Sequence, residues 1–346
     1  MIISCLEDYL IMRKLYFLIP GTGDKFACGG LWAELKTIEL AKKVCSTEVV
    51  TYRKREKDKL FLDDLLQTKQ QDDCAFVISW GFDAPRLSVK LKRFRLNVIY
   101  HAHTTGYGFS LPTSIPIITV SRNSMGYWGS KSPNSLIYYL PNQISDDFYN
   151  YRQPRNIDIL VLARKSSTYL IKKLIPELQQ RFKVVIINSY VDNLPRLFNQ
   201  AKIYIYDSAE YWAQRGISEG FGLQPLEALA CGCQVFSSVN GGLADYLDPG
   251  FNCYKIAAHS CLFDIQRITA VIDKWQYLNI SEGLFSEYRK QNIIKKMQSI
   301  LEEINIFFDN NQDDAISISE INYARLKQLY FKSRFKKIIK TYLAKL

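Results

Sequence analysis

Runs of apolar residues of strand length recur along the chain: LYFLIP (15–20), CAFVISW (74–80), LNVIYH (96–101), IPIITVS (115–121), SLIYYLP (135–141), IDILVLA (157–163), FKVVIIN (182–188), AKIYIYD (201–207) and CQVFSS (233–238). None alternates with polar residues, as a strand with one wet face would, so they predict parallel strands buried on both faces. The helical stretches between them predict βα repeats and an α/β fold. The series breaks at LPNQISDDFYNYRQPRN, where Pro141, Pro154 and several Asn, Asp and Gln residues form a polar connection and place a boundary near 142–155. Two doubly wound, Rossmann-like domains follow, residues 1–145 and 146–320, with a basic helix over 321–346. Ligands gather at the carboxyl ends of such sheets, so two sheets facing one another enclose a binding cleft.

The length of 346 residues agrees with two cores rather than one. Strand 15–20 runs into Gly21-Thr22-Gly23, and Gly29-Gly30 open the helix LWAELKTIELAKKV. Glycines there let helix N-terminal amides approach an anion, and a plain βα turn reads equally well. The first eleven residues fit no element, which makes Met12 the expected start. No run of eighteen apolar residues occurs, and Glu7 and Asp8 stand where a signal peptide carries basic residues, so the chain is expected in the cytoplasm. Eight cysteines lack any C-x-x-C pair and are expected to be reduced, mostly buried thiols. The formal charge of +11 calls for an anionic partner, whether nucleic acid, a phosphate-bearing substrate or an acidic membrane.

One stretch narrows the choice: SEGFGLQPLEALACGCQVFSS, 218–238. Pro225 suits the first position of a helix, where its missing N–H costs nothing. The free amides of Gly222, Leu223 and Gln224 would then point into the cleft as an anion site. Glu227, in the first turn, could accept two vicinal hydroxyls, and Glu219 could reach a group on the far side of the anion. That spacing suits a nucleotide diphosphate sugar.

Glu219 through Glu227 resembles the E-x7-E signature of retaining GT-B glycosyltransferases, in particular family four. VSRNSMGYWGS and LIYYLPNQISDDFY (120–149) are similar to that family's passage into its second domain, with Gln143 in place of the usual glycine. ILVLARK (159–165) resembles the strand and Arg/Lys pair that hold the diphosphate, and NGGLADYLDPGFNCYKI (240–256) resembles its "GG..E.....G.NG" segment, with Asp245 where glutamate is commoner. The likeness is dense from about 115 to 256. It implies transfer of a hexose, expected to be glucose, from a UDP-sugar with retained configuration, in an N-terminal acceptor domain and a C-terminal donor domain. Neither cofactor nor metal is implied, and no Asp-x-Asp triplet occurs in the chain.

The resemblance further implies that Arg164 and Lys165 neutralise the leaving diphosphate, Arg164 more securely because the family often separates the pair. It implies that Gly220, Phe221, Gly222, Leu223 and Glu227 bind the donor, that Asn188 and Tyr190 lie in the base-binding loop, and that a histidine at the end of VIYHAH contacts the donor sugar. His103 is the expected one, His101 being taken to point to the opposite side of the strand. His103 and Glu219 are thus the expected catalytic residues. The segment AEYWAQRGI (209–217) is longer than in many relatives and is expected to shape the pocket. The acceptor is expected to be a growing cell-envelope polysaccharide, exopolysaccharide or lipid-linked oligosaccharide. Two other functions are weighed: a nucleotide-sugar epimerase on the same fold, and a basic nucleic-acid-binding protein, for which no motif appears.

The tail FKSRFKKIIKTYLAKL places Phe331, Phe335, Ile338, Ile339, Tyr342 and Leu346 on one helical face, with Arg334, Lys336, Lys337 and Lys340 opposite. An acid-free basic amphipathic helix is expected to lie on the anionic inner face of the plasma membrane, the alternative being to pack on the N-terminal domain.

Overall fold

The structure, a computed structural model, describes residues 12–23, 26, 28–68, 73–277, 280–310 and 323–343, without the side chains of 323, 341 and 342. The expectations for the first eleven residues, for Leu346 and for the side chain of Tyr342 lie outside the described residues.

Two parallel sheets organise the chain. The first comprises β1 (Lys14–Ile19), β2 (Thr47–Thr51), β3 (Leu60–Phe61), β4 (Cys74–Ile78), β5 (Asn97–Ala102), β6 (Ile117–Thr119) and β7 (Ile137–Tyr139), in the order β3-β2-β1-β4-β5-β6-β7. The second comprises β8 (Ile157–Leu162), β9 (Val184–Ile187), β10 (Ala201–Tyr206), β11 (Gln234–Ser237) and β12 (Cys253–Lys255), in the order β12-β11-β10-β8-β9. Parallel neighbours need crossovers, which bring helices onto both faces. These are α1 (Gly29–Ala41), α2 (Leu62–Leu65), α3 (Ala84–Arg93), α4 (Arg122–Lys131), α5 (Ile175–Gln179), α6 (Leu194–Gln200), α7 (Ala209–Ala213), α8 (Leu223–Ala230), α9 (Cys261–Asp273), α10 (Gly283–Ser286), α11 (Lys290–Asn310) and α12 (Tyr323–Leu343). With both faces covered, central strands have no polar side: every residue of CAFVI in β4 is buried.

The polar connection at 140–156 leads from the first sheet to the second, and the chain later returns. Ile293, Met297, Ile300, Leu301, Ile304 and Phe308 form one stripe of α11 and pack with Leu15, Phe17, Ile38 and Ile99 of the first domain. Residues 290–310, assigned by the sequence to the second domain (146–320), therefore complete the core of the first. Arg289 fastens the return by donating to the carbonyls of Ser145 (2.9 Å) and Phe148 (3.0 Å).

α12 packs on neither domain. Its described side chains are exposed, including Phe331, Phe335, Ile338, Ile339 and Leu343. The alternative of a tail packed on the N-terminal domain is not what the structure shows; α11 makes that crossing instead. No helix among the described residues is long and apolar enough to cross a membrane. The described cysteines are free thiols, four of them buried.

Candidate active site

The carboxyl ends of β10, β8 and β5 meet around Glu219. One oxygen of this carboxylate accepts from the Tyr206 hydroxyl, from Ser208 Oγ (3.1 Å) and from Trp212 Nε1 (2.7 Å). Its other oxygen stands 3.7 Å from Lys165 Nζ, which also lies 4.5 Å over the Trp212 ring. Glu219 is only 4% exposed, and a charge so enclosed requires this number of partners. Burial and then the Glu219 charge push the Tyr206 phenol well above its ordinary pKa, which keeps it a donor. Trp212 comes from α7, inside the AEYWAQRGI segment, so that segment does build the Glu219 surroundings.

The turn after Glu219 is set by close approaches. A Cβ on Gly220 would fall 1.6 Å from the carbonyl oxygen of His103, across the cleft. Gly222 has φ +75°, the left-handed region that favours glycine, and it caps α8. The backbone N–H of Gly242 donates to the Glu219 carbonyl (2.8 Å), which gives the NGG segment its place beneath the site. Beside Gly220, Thr104 Oγ1 donates to the Ser218 carbonyl, and Thr105 and Ser218 hydroxyls pair at 2.7 Å. The two domains thus touch at the strand end that carries His103.

α8 starts at Leu223, two residues earlier than expected. Pro225 is therefore its third residue, not its first, where its N–H would still lack an intrahelical partner. Glu227 consequently falls in the second turn rather than the first. It is 6% exposed and accepts no hydrogen bond among the described residues. Burial pushes its carboxyl up to about 7, only partly offset by the charge of Lys36 from the opposite domain.

His101 and His103 correct the sequence expectation. Both imidazoles converge on one oxygen of Glu34 in α1: His101 Nδ1 at 2.6 Å and His103 Nε2 at 2.8 Å. Residues two apart on a strand share a face, so His101 cannot point away from His103. It lies deeper, with its side chain 2% exposed against 17% for His103. These three are the one group among the described residues whose metal-ligating atoms converge. Their separations of 2.6 and 2.8 Å are hydrogen-bond distances, shorter than the roughly 3.3 Å between ligands of a tetrahedral zinc with bonds of about 2.0–2.1 Å.

The other expected residues are spread differently. Lys165 rather than Arg164 reaches Glu219; Arg164 is exposed, with no ion pair among the described residues. Phe221 is buried against Tyr246 and Tyr288, so its side chain supports the turn from below instead of meeting a ligand. Leu223 is half-buried at the start of α8. Asn188 and Tyr190 are exposed just beyond β9. Gly29 and Gly30 open α1 and are exposed; nothing lies within 4 Å of a Cβ built on Gly29, so no close approach demands glycine there.

Sequence reasoning missed Glu34, Tyr206 and Ser208, and reached Trp212 only through its segment. Of the three missed, Glu34 carried a signal: it sits on the helical stripe of Leu31 and Ile38, and a carboxylate on an apolar stripe requires a partner.

Residues 153–302 match the sequence family described as glycosyl transferases group 1. No curated protein sequence matches the chain. Among solved structures it is similar to a glycosyltransferase from Rickettsia africae ESF-5, at TM-score 0.62 and 13% identity, covering 85% of this chain and 98% of that one. It is also similar to Anabaena Alr3699/HepE in complex with UDP and glucose (TM-score 0.54, 13% identity, 88% and 100% covered). A third is the apo lipopolysaccharide outer core galactosyltransferase WaaB (TM-score 0.53, 12% identity, 86% and 99% covered). At such identities the likeness establishes the fold: two parallel-sheet, Rossmann-like domains of the GT-B type.

Proposed function

We propose that this chain, with its group 1 glycosyl transferase domain on a GT-B fold, moves a hexose, glucose, from a UDP-sugar to a polysaccharide or lipid-linked acceptor, retaining anomeric configuration and using no metal. The observation that carries it is Glu219, a carboxylate fixed by three donors beside Lys165 where the two domains touch, eight residues before Glu227. Glu219 would contact the donor sugar, Lys165 and Arg164 would stabilise charge on the departing diphosphate, and the free amides of α8 would face that diphosphate. Glu227 would accept the ribose hydroxyls, and Tyr190 offers an exposed ring for the base. That the structurally similar Anabaena Alr3699/HepE was solved in complex with UDP and glucose supports a UDP-sugar donor. A thermal-shift series of nucleoside diphosphates and their sugars tests it: ligand at a hundred times its Kd stabilises by about 2.7 kcal/mol. Turnover only with acceptor present distinguishes a transferase from an epimerase, and the anomeric configuration of the product reports retention.

Glu227 adds a pH prediction. A carboxyl at about 7, buried and unpartnered, gives up its proton to accept two hydroxyls, so donor binding near neutral pH should release a proton. Affinity should rise with pH up to about 7, by at most tenfold per unit, and then level off. Calorimetry in buffers of different ionisation enthalpy measures this, and Glu227→Gln should flatten it. Without ligand the sign is opposite for stability. The folded pKa lies above the ordinary 4.5, so Glu227 favours the folded state below that value and loses about 3 kcal/mol as pH rises through 7.

For α12 we propose reversible binding to anionic membrane at the cytoplasmic face, which would hold the enzyme near a lipid-linked acceptor. Its exposed apolar face and the absence of any acid from Tyr323 onward support this, each cation near the surface contributing about 1 kcal/mol. Full-length protein should sediment with vesicles containing anionic lipid at low salt and be released by high salt. A chain ending at Tyr330 should remain folded and stay in solution; equal sedimentation of the two would reassign the tail.

A further inference from the structure

The Glu34 cluster lies outside the E-x7-E machinery, yet it grips the one histidine that borders the cleft. Burial alone would raise the Glu34 carboxyl, but its electrostatic attraction to His101 and the hydrogen bonds from both imidazoles outweigh it and hold it well below the usual carboxylate range. An ionised carboxylate can only accept, so the nitrogens facing it, His101 Nδ1 and His103 Nε2, carry the protons. Burial, and then His101, hold His103 below its ordinary imidazole pKa, so its second nitrogen is bare. That nitrogen, Nδ1, has no partner among the described residues and is not among the atoms sealed from solvent; the corresponding Nε2 of His101 is sealed and unpartnered. The two histidines therefore differ in kind. His101 braces the carboxylate from behind, and His103, whose backbone carbonyl borders Gly220, keeps an open lone pair on a side chain that is 17% exposed.

We propose that Glu34 is a positioning residue that locks His103 as the Nε2–H tautomer, so that His103 Nδ1 serves the cleft as a hydrogen-bond acceptor for a hydroxyl of the bound sugar. The role is specific to the lock. With the proton on Nδ1 the same ring would offer a donor, and a sugar hydroxyl would have to turn its own proton elsewhere. Which sugar is read rests on the transferase function proposed above; the tautomer does not.

Two-bond 1H–15N correlation spectra of the full-length protein above the imidazole range read the tautomer directly. Wild-type His103, assigned through His103→Asn, should show Nε2 protonated and Nδ1 bare. A protonated Nδ1 in the wild type overturns the proposal with no variant needed, and it does so whether or not transfer from any UDP-sugar is found. Glu34→Gln offers an amide in place of two lone pairs. Some or all of His103 should shift to the Nδ1–H form, and the donor KM should rise about five- to tenfold with a smaller change in kcat, the loss of one neutral hydrogen bond. Glu39→Gln, on the exposed face of the same helix, should change neither. Should Glu34→Gln lower only thermal stability, with tautomer and donor KM as in the wild type, Glu34 serves the core alone and the proposal fails. Should Glu34→Gln not fold, the wild-type spectrum still decides.

Discussion

Replacing Gly220 by alanine is expected to cut transfer by a hundredfold or more while leaving both domains folded. The added Cβ would stand 1.6 Å from the His103 carbonyl oxygen, and the obstacle is backbone, so no rotamer change relieves it. One of the two loops must retreat by more than an ångström. On one loop sits His103, tied to Glu34; on the other sits Glu219, tied to Tyr206, Ser208 and Trp212. Displacements of about 1 Å between groups that act together cost on the order of a hundredfold in rate. Each sheet keeps its own core, so the melting temperature should fall far less than the activity. Gly126 supplies the contrast: it is exposed within α4 with nothing within 4 Å of a Cβ, and Gly126→Ala should stabilise by about 0.5–1 kcal/mol without touching transfer. Wild-type rates in Gly220→Ala would mean that the approach of the two loops is not needed for chemistry.

How far the sequence carries can be judged from the same residues. Strands such as β4 and β8 were legible because burial on both faces leaves an unbroken apolar run. β2 (TEVVT), β3 and β12 (CYK) escaped because they are short and half polar, and only their pairing beside a longer strand makes them strands. The polar connection between β7 and β8 was visible, whereas the return of α11 to the first sheet's core was not. Its apolar stripe says that it packs, not on what. At the site, Glu219, Gly220 and Glu227 were marked by spacing along one segment. Tyr206, Ser208 and Trp212 were not, since their role depends on β10 and α7 folding back over the Glu219 carboxylate. His101 and His103 were legible as a pair, yet the face they share was misjudged, although the alternation of a strand already fixes it.

Glu219→Gln isolates charge from shape and should be the most informative single change. The amide oxygen can take the place of the carboxylate oxygen that now accepts from Tyr206, Ser208 and Trp212, so the side chain keeps its anchors. The amide nitrogen then faces Lys165, 3.7 Å away, and the negative charge at the centre of the site is gone. Loss of one preorganised polar group at a reacting centre typically costs 10²–10³ in kcat, about 2.7–4 kcal/mol, and that is the expected fall, with a melting temperature close to wild type. Glu219→Ala behaves differently. It leaves three donors aimed at nothing in a site that is 4% exposed, at about 1–3 kcal/mol for each one not rescued by water, so it should lose stability as well as transfer. Trp212→Phe removes one donor and leaves a smaller aromatic face for Lys165, and should fall between wild type and Glu219→Gln. The order of the three variants, in rate and in melting temperature, separates a carboxylate that acts on the donor sugar from one that only ties β10 to α7. If Glu219→Gln transfers within threefold of wild type while Glu219→Ala is merely unstable, the second description is the correct one.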